Sequence, residues 1–274
     1  MLPGERLHLQ HGPIDLVIGA EGARRAAFDA AKAAFEGVLE RLVGELPLLR
    51  APSGGTFPDG PVAQRMANAV APHEGFVTPM AAVAGAVADH VLAGMVANAD
   101  LCRAYVNNGG DIALHLAKGE SFRLAIAGLQ GQGFGTVEIA AESNIRGLAT
   151  SGRGGRSLSM GIADSVTVLA RDAASADAAA TLIGNAVDLP GHAAIERVPA
   201  EELRPDSDLG KRLVVRDVGR LSPEEIAAAL ERGMRRADAM RAKGLIAAAA
   251  LFLRGQSRIT GTEAIIGTRE TAIA

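Results

Sequence analysis

The sequence predicts an α+β fold in which antiparallel sheet is packed with long helices, and three observations lead to that class. Apolar residues recur at helical spacing near both ends of the 274-residue chain. Its middle third reads instead as short strands separated by turn residues. The helices thus cluster around a run of strands rather than alternating with them, which disfavours a doubly wound parallel sheet. No fixed-period repeat is visible, so a solenoid is excluded.

The elements follow in order. Runs at residues 6–10 and 14–18 alternate around His11-Gly12-Pro13 and predict a hairpin. Helical spacing over residues 21–45 puts Phe28, Phe35, Val38, Leu39 and Leu42 on one face, and Pro47 is expected to end that helix. Residues 52–61 are rich in Pro and Gly and read as a lid or a long connection, the latter favoured because nothing in the loop has matched chemistry. Thr78-Pro79 supplies an N-cap and a proline at the first position of a helix expected to reach residue 97. Its alanines and Gly85 suit close packing, either internally or across a homodimer.

Strands are expected at 105–107, 111–116, 122–127, 136–140, 145–150 and 165–170. A helix over 175–187 stops before Asp188-Leu189-Pro190-Gly191. Ser222-Pro223-Glu224-Glu225 is a capping box opening a helix to Lys243, with Gly244 as its stop. Residues 245–253 read as a buried strand. A single domain over 1–254 is expected, followed by a polar tail over 255–274 that is poorly ordered or pairs with a neighbour.

Composition excludes several functions. The formal charge of -3 is dispersed, and with no Trp and one Tyr the chain has neither the basic patch nor the stacking platforms of a nucleic-acid binder. The apolar stretches 80–97 and 245–253 are interrupted by Asp89 and His90 or too short, so no membrane association is expected. The single cysteine, Cys102, and an N-terminal stretch without a signal-peptide pattern point to a cytoplasmic setting. The six histidines have no zinc-ligand spacing, and no Gly-x-Ser-x-Gly elbow is present.

Two segments carry the chemistry. Asn107-Asn108-Gly109-Gly110-Asp111 reads as a hairpin turn, or as a ligand site whose glycine amides reach an oxygen while Asn and Asp bond a ribose, base or metal-bound water. Thr150-Ser151-Gly152-Arg153-Gly154-Gly155-Arg156-Ser157-Leu158-Ser159 concentrates donors between two apolar strands. Arg153 and Arg156 suit a pyrophosphate, with Ser157 adding a hydroxyl; the competing reading is a solvated Gly/Ser/Arg loop. Asp164 stands at the mouth of a strand, where a buried carboxylate needs a metal, an arginine or backbone amides. With Thr167 it offers oxygen ligands to magnesium; the alternative is an ion pair with Arg153 or Arg156.

On residues 76–85 (Phe-Val-Thr-Pro-Met-Ala-Ala-Val-Ala-Gly), 105–112 and 150–167, taken in that order, the chain resembles the ApbE superfamily, and most closely its ApbE-like branch labelled as thiamine-biosynthesis proteins. The resemblance implies an α+β fold related to the T-fold group, and magnesium-dependent transfer of FMN from FAD to a threonine of a target protein. It casts Gly109-Gly110-Asp111 as the flavin-site turn, Thr150-Ser151-Gly152 as the start of the second motif, and Asp164 as the magnesium aspartate. Asn107, Asn108, Arg153, Arg156 and Ser157 complete the expected flavin set, and Thr167 the expected metal pair.

The chain also departs from the family pattern. Family members carry a histidine and an Asp-Pro-Arg-Thr-Gly-like segment before the metal aspartate, where this chain has the shorter Arg153-Gly154-Gly155-Arg156-Ser157-Leu158-Ser159-Met160-Gly161 and no histidine. The family's metal threonine also stands one residue further from the aspartate than Thr167. The expected function is binding of FAD, FMN or a related nucleotide, with FMN-transferase-like chemistry on an unidentified acceptor. The alternatives are a dinucleotide pyrophosphatase, a pterin- or thiamine-related biosynthetic enzyme, and a non-catalytic binding protein.

Overall fold

The computed structural model describes residues 2–127, 133–155 and 157–261, and the chain divides into two compact units. Unit one comprises Met1–Glu120, Asn144–Ala149 and Leu169–Ala179; unit two comprises Ser121–Ser143, Thr150–Val168 and Ala180–Ala274. The fold is α+β, with helices on largely antiparallel sheet.

In unit one, β1 (Leu7–His11) and β2 (Ile14–Gly22) form the expected hairpin, closed at His11↔Ile14. Alternation along β2 turns Leu16 and Ile18 fully inward. β2 pairs with β3 (Leu101–Asn108), β3 with β4 (Asp111–Leu116), and β4 with β7 (Gly147–Ser151), all antiparallel. The helix α5 (Val83–Asn98) lies on β3 and β4 and packs against α1 (Arg24–Phe35) and α4 (Pro61–Val70). Together with the 3-10 turn Pro79–Ala82 it forms a segment long and apolar enough to cross a membrane, but Ala86, Val87, Val91 and Met95 are spent on the core of unit one.

Three expectations change in this unit. The helix predicted over 21–45 is broken into α1, α2 (Val38–Gly44) and α3 (Leu46–Leu49), because Gly37 takes φ +69°, a left-handed conformation that ends α1 at one residue and restarts the chain at the next. Pro47 then lies in the first turn of α3 rather than ending a helix. Thr78 makes no side-chain cap bond, since the chain enters α5 through the 3-10 turn instead. Helix α4, unanticipated, begins at Pro61, and Glu45 Oε1 accepts from the amides of Asp59 (2.7 Å) and Gly60 (3.2 Å) just before it.

In unit two, Thr150 and Ser151 of β7, residues up to Val168 of β8 (Ser165–Ala170), β11 (Ala248–Leu253) and β12 (Gln256–Thr260) follow in the sheet order β7-β8-β11-β12. Every residue of β8 and β11 is buried, as central strands covered on both faces require. Residues 256–260, at the start of the polar tail, pair with β11 from Leu253↔Gln256 to Ala249↔Thr260, and Ile259 packs on Ala250 and Phe252. β5 (Ser121–Ala127) and β6 (Gly133–Ala140) make a separate hairpin. β9 (Ile195–Pro199) and β10 (Leu213–Val218), with the short α7 (Ala200–Leu203) between them, form a further two-stranded sheet. α6 (Ala173–Ala186) starts in unit one, and α8 (Pro223–Ala242) opens on the capping box of Ser222 and Glu225 and packs on β11 and β12.

Candidate functional site

The turn Asn107–Asp111 lies in unit one and is a two-residue hairpin loop. Asn108 pairs with Asp111, and Gly109 and Gly110 take φ +67° and +114°, as the tight loop between right-twisted strands demands. Asn107 Oδ1 accepts from the Gly110 amide at 2.8 Å. Asn108 is buried, donates from Nδ2 to the Ala84 carbonyl at 3.1 Å, and so ties the turn to the start of α5. The side chains of both asparagines and the conformations of both glycines therefore serve the turn itself.

Asp111 is buried beside a second carboxyl that sequence reasoning missed. Asp177 on α6 accepts from the Gly85 amide at 3.1 Å; burial pushes its carboxyl well above the ordinary carboxylate range, and the negative charge of Asp111 adds to the shift. Asp89, also missed, is buried on α5 and accepts from the amides of Ala173 (3.1 Å) and Ala174 (2.9 Å). Burial raises its carboxyl from 3.8 to about 7 against the lowering effect of those amides. Asp172 Oδ1 accepts from the Ser175 amide at 2.7 Å, completing the start of α6. The one available signal was the presence of an acid within the apolar run of α5.

The second segment lies in unit two as a loop between β7 and β8. Gly152 has φ +145°, and a Cβ on it would meet the Asp164 carbonyl at 2.6 Å, so the outgoing and returning legs touch at a glycine. The Arg153 amide donates to the Ala163 carbonyl at 2.8 Å, bridging the legs again. Ser157 is exposed, and Arg156 lies outside the described residues. Thr150 Oγ1 and Thr167 Oγ1 share a hydrogen bond of 2.9 Å across β7 and β8.

Asp164 and Arg153 meet at the foot of this loop. Arg153 Nη2 donates to Asp164 Oδ1 at 3.4 Å, a long contact, and the Arg254 amide donates to Asp164 Oδ2 at 2.5 Å. Arg254 and Gly255 form the β11–β12 turn, with φ +49° and +80°. A left-handed arginine is unfavourable on its own, and here the strained position coincides with the amide bond to Asp164. The Nε of Arg153 is buried and has no hydrogen-bond partner among the described residues.

Around the expected magnesium pair, both oxygens of Asp164 accept from protein donors and the hydroxyl of Thr167 is bonded to Thr150, so a cation there would share or displace these contacts. The loop also offers one edge of a guanidinium, Nε beside an Nη2 held to Asp164 by a long contact, which suits a bidentate anionic acceptor.

Comparison with known proteins agrees with this architecture. The chain is 38% identical over 156 residues to a UPF0280 protein of Archaeoglobus fulgidus, a match spanning 57% of this chain and 63% of that one. It is 44% identical over 130 residues to a UPF0280 protein of Methanothrix thermoacetophila, spanning 46% of this chain and 52% of the relative. The matched stretch thus covers between half and two thirds of these relatives' own length. The apo crystal structure of the Pseudomonas stutzeri flavinyl transferase ApbE superposes over 95% of this chain and 96% of its own with a TM-score of 0.54 at 13% identity, so the two chains share a fold. A family model described as AbpE bacteria matches residues 1–259, and the chain belongs to that family.

Proposed function

We propose that this protein binds a flavin nucleotide through its phosphate end at Arg153, and that it performs flavin-transferase-like chemistry on FAD. The observation that carries this reading is the buried Nε of Arg153 in the loop between β7 and β8, which has no partner among the described residues. Leaving such a donor unsatisfied costs roughly 1–3 kcal/mol, a cost that a phosphate oxygen removes on binding. The neighbouring Nη2, whose contact with Asp164 is a long 3.4 Å, is positioned to donate to the same phosphate. In a transfer reaction the same guanidinium offsets charge developing on the phosphate as the pyrophosphate bond breaks.

Asp164 in this reading orients Arg153 and anchors the β11–β12 turn. Magnesium at Asp164 and Thr167 would compete with Arg153 for the carboxylate, so no step is assigned to it.

Calorimetric titration with FAD, FMN and riboflavin tests the proposal. FAD and FMN are expected to bind more tightly than riboflavin, and Arg153→Lys is expected to erase about tenfold of that difference, since lysine cannot present the bidentate edge. Equal affinity for FMN and riboflavin, or no binding of any flavin, would overturn it.

A further inference from the structure

The returning leg of the loop between β7 and β8 is held from outside itself at successive residues. The Ser159 carbonyl accepts from the Val215 amide at 2.8 Å. The Met160 amide donates to Asn185 Oδ1 at 3.0 Å, and the Met160 carbonyl accepts from Arg197 Nη1 at 2.7 Å. A Cβ on Gly161 would lie 2.1 Å from the Gly184 carbonyl, and the Ile162 amide donates to the Val187 carbonyl at 2.8 Å. Among the described residues the outgoing leg has far less: past Arg153, the Gly155 amide returns to the Gly152 carbonyl of its own loop.

Two of these anchors come from the β9–β10 sheet, where Arg197 and Val215 are direct cross-strand partners. The register shifts immediately after Val215, between it and Asp217, so the ladder is regular up to the pair that grips the loop and irregular beyond it. Arg197 is in turn fixed by Asp188, 2.5 Å from its Nη2, with side chains only 17% and 14% exposed. An ion pair this enclosed is a poor source of stability, because desolvation offsets much of its attraction. Its geometric product is a guanidinium that reaches the Met160 carbonyl in one orientation.

We propose that Arg197, locked by Asp188, is a positioning residue that sets the returning leg and thereby the place of Arg153 and Asp164 for an anionic ligand; this rests on the phosphate reading of Arg153. The transmission is short. Met160 stands four residues before Asp164, and Ala163, within that span, accepts the Arg153 amide. The sheet that carries Arg197 therefore acts as a brace for the binding loop.

The test uses the double variant Asp188→Asn, Arg197→Met, which removes both charges together and leaves neither stranded. Hydrogen–deuterium exchange of the full chain should rise in peptides covering residues 152–164 and stay unchanged in β11 and α8. Affinities for pyrophosphate and FAD should fall about tenfold in the folded variant, with that for riboflavin unmoved. Arg197→Lys, which keeps a charge on Asp188 but shortens the reach, should fall between the two. Unchanged exchange over 152–164, or faster exchange with unchanged pyrophosphate and FAD affinity, overturns the positioning role. Wild-type protein that binds pyrophosphate but no flavin would defeat the flavin reading and leave this one standing, whereas wild type that binds neither overturns both.

Discussion

Asp89 and Asp177 exchange places as helix caps. Asp89 belongs to α5 and accepts from the amides of Ala173 and Ala174 at the start of α6, while Asp177 belongs to α6 and accepts from the amide of Gly85 at the start of α5. Each helix thereby satisfies N-terminal amides of the other, groups that an apolar packing surface would leave without partners. The arrangement costs desolvation of two carboxyls, and that cost appears as their raised pKa values.

The first prediction is a pH dependence. Asp89 titrates at about 7 in the folded chain against 3.8 when unperturbed, so the folded state holds a proton through that interval that the unfolded state has released. Its contribution is therefore full below about pH 4 and is lost as pH rises through about 7; Asp177, shifted in the same direction, adds to the trend. Asp172 opposes ionisation of Asp89 and Arg65 favours it, without reversing the sign. Chemical denaturation between pH 5 and 8 should show stability falling with pH, and Asp89→Asn should flatten the slope. An identical slope in the variant would refute the assignment.

Gly85 carries the second prediction. A Cβ there would lie 2.2 Å from the Ala173 carbonyl, at the place where the exchanged caps bring the two helix starts together. The obstacle is backbone, which cannot rotate away. Gly85→Ala should therefore destabilise the fold by at least about 1–3 kcal/mol, although alanine is the better helix former at an exposed position. Denaturant melts that show a gain in stability would mean that α5 and α6 can move apart cheaply.

These cases separate what the sequence made legible from what it did not. The hairpin at Gly12, the Gly109-Gly110 turn, the capping box at Ser222 and the buried strands β8 and β11 were readable because their determinants are local: turn glycines, a cap spacing, an apolar run. The break at Gly37 was hidden, since the apolar spacing continues across it and only the backbone angle changes. Strands β9 and β10 were missed because they are separated by α7 and pair only with each other, so their register is set by a long connection. At the candidate site, glycines and donors could be named, but not the partners of Asp164. Arg254 lies ninety residues away and contributes its main-chain amide, which no sequence motif encodes.

Glu45 gives a third prediction, on a helix start that has no side-chain cap of its own. Its carboxylate accepts from the amides of Asp59 and Gly60, the residue that precedes Pro61, and so closes the loop leading into α4. Glu45→Ala should lower stability by about 1 kcal/mol, as loss of a conventional cap does. Exchange of the amides of residues 59, 60 and 62–64 should accelerate selectively. Uniform exchange across unit one would show that Glu45 acts otherwise.

Asp164 offers the last prediction, because its two possible duties respond oppositely to one substitution. Asn in its place keeps the shape and can still accept from the Arg254 amide, but it removes the charge facing Arg153. If its work is to hold Arg153 and the β11–β12 turn, Asp164→Asn should lower stability by about 1–3 kcal/mol with or without magnesium, the range for weakening a hydrogen-bonded charge that is not fully enclosed. FAD affinity should then fall only through the freed guanidinium. If magnesium binds Asp164 and Thr167, stability should hold while the magnesium-dependent part of FAD affinity disappears. The Arg254 amide on Oδ2, with Arg153 on Oδ1, makes the first pattern the expected one. Thermal melts and FAD titrations with and without magnesium decide between them, and a variant of unchanged melting temperature that has lost a magnesium response would assign the carboxylate to the metal.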